Sequence, residues 1–261
     1  MNEQLNPANY PQSQTAPEFT MNTDIVPFPS KGIFYPNGIS EVLIEHMSAL
    51  SENLLTTPNL INSGRVLEEL LKRQVKDKSI NIDDLLTGDI NAILLQLRVG
   101  AYGPDFPVKV TDPETGEEFE EVTDLTKLKF KELSIMPDQN LLFDFNLPIR
   151  KKLVKFRLLA NKEEKQITSK AEEMKKFNGG IDITFTERLK AQIMEIDGNK
   201  DKLYISRFVD AMPPLDALKL RNYMSEVEPN LDLSYEFTNP NTGRRFRSIV
   251  FLSIRLFYPA A

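Results

Sequence analysis

The sequence contains no cysteine, which excludes disulfides, thiolate metal sites and cysteine nucleophiles together. It holds one histidine, His46, so no site built from several imidazoles is open to it and a histidine-dependent triad has one candidate base. No apolar run approaches the about 18 consecutive residues that a membrane span requires. The opening MNEQLNPANYPQSQTAPEF has neither a basic flank nor an apolar block, so it does not read as a secretory signal. Charge of one sign is not abundant either. With 38 acidic against 32 basic residues, a net charge of -6 supplies no general attraction to nucleic acid or to an anionic membrane. These absences lean away from an enzyme. What is present is an ordinary globular composition: 261 residues, 41% hydrophobic and 27% charged, enough apolar material for one large domain or two modest ones.

Residues 1–24 are rich in Asn, Gln and Pro and poor in large apolar side chains. Such a segment cannot offset its ordering entropy and reads as a flexible tail. Organisation begins at Ile25, after which Pro27, Pro29, Gly32, Pro36 and Gly38 punctuate a compact turn. Ile39 to Met47 alternates as a half-buried strand does, and Leu67, Leu70, Leu71 and Val75 mark one face of a helix. Ile90, Ile93, Leu94 and Leu97 recur at helical spacing behind Asp89, placed as N-cap, and Gly103-Pro104 stops that helix.

Phe106 to Val110 and Phe119 to Val122 read as strands, followed by a linker around Met136-Pro137 and a strand over Leu153 to Leu159. Ile167, Ala171 and Met174 stripe a helix that Asn178-Gly179-Gly180 ends. Thr184 and Glu187 form a T-x-x-E capping box ahead of Leu189, Ile193 and Ile196 on the next helix. Pro214 opens another, running to about Val227. Strands over Tyr235 to Thr238 and Phe246 to Leu256 close the chain. The pattern is α+β: a tail (1–24), an N-terminal α+β half (25–148) and a mostly helical C-terminal half (149–261).

The most informative feature is a repeat. Val110-Thr-Asp-Pro-Glu-Thr-Gly-Glu-Glu-Phe119 and Phe237-Thr-Asn-Pro-Asn-Thr-Gly-Arg-Arg-Phe246 both read T-[DN]-P-x-T-G-x-x-F between apolar strands. The residue types are those of a tight turn. Asp112 or Asn239 caps its own turn, Pro113 or Pro240 presets φ, and Gly116 or Gly243 supplies the left-handed position. The spacing D-x-x-T-G and N-x-x-T-G falls where a zinc ribbon has C-x-x-C-G knuckles. Asp112, Thr115, Asn239 and Thr242 are too hard and weak a set for structural zinc, so the expectation is two hairpins pairing into a metal-free, zinc-ribbon-like unit beside helical layers. Glu117, Glu118, Glu120 and Glu121 on one hairpin face Arg244, Arg245 and Arg247 on the other in charge.

Signatures of phosphate, dinucleotide, acyl-transfer and zinc-protease chemistry are missing. Asp197-Gly-Asn-Lys-Asp201 begins like a calcium loop, but Lys202 and Phe208 stand where Gly and Glu are needed, so it reads as a turn. Asp83, Asp84 and Asp89 flank helix beginnings and read as caps; His46 reads as structural. Arg150, Lys151, Lys152, Lys155 and Arg157 form a basic patch without interleaved aromatics.

Four segments together resemble the baseplate hub assembly proteins of T-even-type contractile-tailed phages. They are PFPSKGIFYPNG (Pro27 to Gly38), LLTGDINAILLQLRVGAYG (Leu85 to Gly103), the T-D-P-E-T-G hairpin, and the terminal hairpin ending in Leu256-Phe-Tyr-Pro259. The resemblance runs over most of residues 25–259. Relatives in that family often carry C-x-x-C knuckles at the two hairpins; this chain has none, so metal binding is not carried over. The resemblance implies a non-enzymatic role in building the baseplate hub, with other hub proteins as partners, in the host cytoplasm during assembly. A permanent place in the hub is the alternative, and a cell-wall hydrolase using two converging carboxylates a third reading. No cofactor, metal, nucleic acid, membrane or small-molecule substrate is expected. Phe28, Phe34 and Tyr35, large groups in a rigid Pro/Gly frame, are candidates either for core packing or for a partner surface.

Overall fold

The computed structural model describes residues 21–131, 133–250 and 254–258. Residues 1–20 of the expected tail lie outside these, while Thr23 and Asp24 already belong to the first strand. That strand, β1 (Thr23–Pro27), pairs antiparallel with β2 (Glu41–Glu45). The alternation expected of a half-buried strand is there: Val42 and Ile44 point inward, while Leu43 faces out opposite Ile25. Short helices α1 (Ala49–Leu55) and α2 (Pro58–Asn62) lead to α3 (Val66–Gln74), which buries Val66, Leu70 and Leu71.

The long helix α4 (Thr87–Tyr102) buries Ile90, Ile93, Leu94 and Leu97 on the predicted face. Gly103, at φ 79°, and Pro104 end it. Asp89 is not its N-cap. Leu86 holds that position, and Asp89 lies three residues inside, where its carboxylate is drawn to a tertiary partner instead. These elements enclose a first core, into which Leu256 and Phe257 of the terminal 3-10 turn (Ile254–Phe257) also pack.

A hairpin of β3 (Asp105–Thr111) and β4 (Glu118–Asp124) follows, and then the two-residue β5 (Lys129–Phe130), which pairs with β9 (Leu231–Asp232). The second core is built on a three-stranded antiparallel sheet of β6 (Phe143–Asn146), β7 (Leu153–Phe156) and β8 (Ile193–Ile196). It is covered by α6 (Thr184–Gln192), α7 (Lys202–Asp210) and α8 (Pro214–Val227). Strand β7 stops at Phe156, short of the predicted Leu159.

Ile193 and Ile196 are not helical, although their spacing of three suggests it. They are the ends of β8, and a register shift opposite Lys155/Phe156 leaves Met194 as the extra residue, so that both isoleucines face the core. On α5 (Asn161–Lys175), Ile167 and Ala171 are buried but Met174 is exposed, because the helix projects beyond the core at that end. The expected Thr184/Glu187 capping box does not form. Thr184 is the first helical residue, its N–H bound by Asp182, and Glu187 binds Lys170 and Lys190 instead.

The chain ends in a second hairpin, β10 (Ser234–Thr238) with β11 (Arg245–Ile249). The last strand is shorter than predicted: residues 251–253 lie outside the described ones, and Ile254–Phe257 is the 3-10 turn. The two repeated hairpins remain separate two-stranded sheets, but they share a small core of Val110, Phe237, Phe246 and Val250. The fold is a mixed α and β assembly of small antiparallel sheets among helices. No helix among the described residues is long and apolar enough to cross a membrane.

Candidate functional site

Three parts of the chain meet at the first turn of α4. Gly88 is there because nothing larger fits: a Cβ would stand 1.9 Å from the Pro229 carbonyl oxygen and 2.8 Å from Asn230 Cα. One turn away, the Asn91 amide donates to Asn230 Oδ1 at 3.2 Å. Between them Asp89, fully buried, accepts the Ser30 N–H at 3.0 Å and the Tyr35 hydroxyl, while that hydroxyl accepts the Leu86 N–H at 2.9 Å. Burial pushes the Asp89 carboxyl above the ordinary range, and the hydrogen bonds from Ser30 and Tyr35 oppose that rise. The G-D-x-N run thus holds the Pro27–Gly38 turn on one side and the end of α8 on the other.

The turn's aromatics complete the clamp. Phe28, 1% exposed, sits in the first core with its ring edge-on to Tyr35 at 6.0 Å. Phe34 stacks on Phe143 of the second core at 6.2 Å, and Tyr35 packs against both cores. Of the three residues offered as a partner surface, Phe28 is therefore core, and Phe34 and Tyr35 are half-buried in the junction. Rigid Pro/Gly framing turns these rings inward, and full burial of Phe28 stabilises by about 1.5–3 kcal/mol.

Beside this junction lies a cavity of about 350 Å³, walled by Thr87 at the start of α4 and by residues of α5, α6 and α8, with Glu228 just beyond the end of α8. Four charged residues line it. Arg188 donates twice to Glu164, at 2.6 and 3.0 Å. The Arg221 guanidinium lies over the Phe185 ring at 5.1 Å. Burial raises the pKa of the Glu228 carboxyl, and nearby Glu164 adds to the rise.

The repeated hairpins touch at their turns. Asp112 and Asn239 each cap their own turn, the former accepting from Glu114 and Thr115, the latter from Asn241 and Thr242. Gly116 and Gly243 hold φ of 72° and 71°, beyond Pro113 and Pro240 at the head of each turn. Across the interface, Asn239 donates to Asp112 at 3.0 Å. Arg244 reaches Asp112 at 2.9 Å, and Glu117, in the matching place on the other hairpin, accepts from Asn239 at 3.2 Å. Arg244 also pairs with Glu114 at 2.5 Å, and Glu117 with Asn241. Every contact has its counterpart with the hairpins exchanged, the self-complementary pattern of a two-fold interface. The charge complementarity between hairpins is narrower than the sequence suggests: Glu118 pairs with Lys109 and Arg245 with Glu236, each within its own hairpin.

Other predicted features take structural places. His46 hydrogen-bonds Asp24 at 2.8 Å, and Gln96 donates to the same carboxylate. Asp197, at φ 46°, turns the chain between β8 and α7. Asp83 and Asp84 lie in a 3-10 turn whose cap is Asn81, and they bind Lys165 and Lys162 of α5. The basic patch is largely neutralised: Lys152 pairs with Asp197, Lys155 with Asp144, and Arg157 with Glu163. Sequence reading missed Asp216, buried in the first turn of α8, which accepts the N–H groups of Ile149 and Arg150. Its only signal was an acid just after Pro214. Among the described residues, no group of three or more His, Asp or Glu side chains is placed to hold a metal ion.

No curated protein and no solved structure matches the chain. Residues 47–258 match the family described as T4 bacteriophage base plate protein, a stretch that takes in α4, the cavity and both hairpins and begins after the Pro27–Gly38 turn. With well over half of its length matched in this way, the chain belongs to the T4 bacteriophage base plate protein family.

Proposed function

We propose that the protein assists assembly of the central hub of the base plate by binding other base plate proteins, in the host cytoplasm and without catalysis of its own. The observation that carries this reading is membership of the family over residues 47–258. The surface is in keeping with it. Phe177 is 85% exposed and Ile181 64% at the tip between α5 and α6, and Ile25 and Leu43 pair on the outer face of the β1–β2 sheet; apolar groups left in water suit coverage by a partner. The repeated hairpins are read as a ribbon-like unit without metal, since two of the four knuckle positions, Asp112 and Asn239, bind each other. Nucleic acid, membranes, cofactors and small-molecule substrates have no part in this reading.

A permanent place in the base plate is the second reading, favoured by the family's own description as a base plate protein. Quantitative mass spectrometry of purified particles and of infected-cell lysates separates the two. Abundance in lysate with absence from particles supports the assembly role; a stoichiometric signal in particles supports the structural one. Incubation with purified cell-wall glycan should release no sugar fragments, and release would require a hydrolase instead.

A further inference from the structure

We propose that the cavity between α6, α8 and the start of α4 is a socket for a cationic side chain, lysine or arginine, presented by a protein partner. The inference rests on the reading that this protein works by holding other proteins. One carboxylate of the lining is left without a counter-charge. Glu164 is neutralised by Arg188 through two hydrogen bonds. Arg221 stacks on Phe185 at the exposed rim. Lys131 is near enough to Glu228 to act on it, yet its ammonium donates to the main-chain oxygens of Ser225 and Glu228, not to the carboxylate.

Glu228 is therefore the one carboxylate of the lining that no other described residue hydrogen-bonds or pairs with, while Arg221 is held there by stacking alone. A half-buried carboxylate without an ionic partner is disfavoured in its charged form, and burial raises its pKa accordingly. A cation entering the cavity would give it a charge-assisted hydrogen bond, about twice as strong as a neutral one. Leu189 and Met224, which also line the cavity, suit the aliphatic stem that carries a lysine or arginine head. An anionic group would meet Glu164 and Glu228 together, and the only cation left for it is the stacked Arg221.

The test is a titration of the isotope-labelled full chain with N-acetyl-argininamide, a blocked arginine residue. N-acetyl-glutaminamide serves as the neutral control and N-acetyl-aspartamide as the anionic one. The expected result is saturable shifts of the Gln192 and Asn230 side-chain amides at millimolar arginine probe, with none from either control. Glu228→Gln should weaken the response at least tenfold, and Arg221→Ala should leave it intact or stronger. Absence of shifts, an equal response in Glu228→Gln, or preference for the acidic probe would overturn the socket. A parallel capture of base plate proteins from infected cells keeps the two readings apart. A parent chain that captures them as well as Glu228→Gln does overturns the socket alone, and a parent chain that captures none overturns the proposed function.

Discussion

Asn239 donates its side-chain amide to the Asp112 carboxylate at 3.0 Å across 127 residues of chain, and neither side chain is exposed to solvent. This bond lies at the centre of the reciprocal contact between the hairpins, and the two residues occupy matching places in the repeat. Asn239→Ala removes the donor, leaving a buried acceptor short of a partner, which costs about 1–3 kcal/mol. Urea denaturation should register that loss. An unchanged midpoint would mean that the apolar core of Phe237, Phe246 and Val110 holds the hairpins together unaided.

Acid should act on the same contact. The Asp112 carboxyl is held below the usual carboxylate range, first by the Glu114 N–H and then by Asn239, the Thr115 N–H and Arg244. A group whose folded pKa is depressed contributes stability above its unfolded value, and that stability is lost as pH falls through the folded value. Asp112→Asn should therefore flatten the acid limb of a plot of stability against pH. A limb as steep as the parent's would place the titration elsewhere.

Glycines at two kinds of position should respond differently to alanine. At Gly88 the new methyl group meets backbone at 1.9 Å, which cannot move aside without parting α4 from the end of α8. The loss should reach about 3 kcal/mol or more. At Gly116 there is open space within 4 Å and only the positive φ to strain, so Gly116→Ala should cost about 1 kcal/mol. Thermal melts of the pair, with Gly88→Ala the lower, check the order.

Tyr35→Phe keeps the ring between the two cores but removes a hydroxyl that serves both Asp89 and the Leu86 N–H. The expected loss is about 1–3 kcal/mol. Hydrogen exchange should quicken at Leu86 and at Ser30, whose amides depend on the same network. Unaltered exchange at both would show that the turn is held by packing alone.

Glu228→Gln should gain stability over the parent as pH rises. A carboxyl with a raised folded pKa destabilises the fold increasingly from its ordinary value up to the raised one, and not at all below both. The two proteins should melt alike in acid and diverge toward neutrality, the variant being higher. Divergence in the opposite sense would mean that the carboxylate has found a partner in solution.

Metal removal is expected to change nothing. Asp112 and Asn239 are engaged with each other and with their own turns, and no cysteine exists to replace them. A strong chelator should leave the melting temperature unmoved, and stoichiometric zinc lost together with the fold would contradict this.

What the sequence determined by itself was what neighbouring residues decide among themselves. The T-[DN]-P-x-T-G turns are legible because capping side chain, proline and left-handed glycine act within five residues, and α4 because its apolar face recurs at helical spacing before Gly103 ends it. The repeat even implied that the hairpins meet. Tertiary structure alone decided the rest, because the deciding partners are far along the chain. Asp89 looked like a cap until Ser30 and Tyr35 claimed its carboxylate. Ile193 and Ile196 share a helical spacing, but a bulge against β7 turned both into the core. Gly88 needs no special backbone angle, and its reason is the Pro229–Asn230 backbone packed against it. The cavity has no local signal at all: Thr87, Glu164, Arg188 and Glu228 come from four separate segments, and only packing leaves one of their charges unanswered.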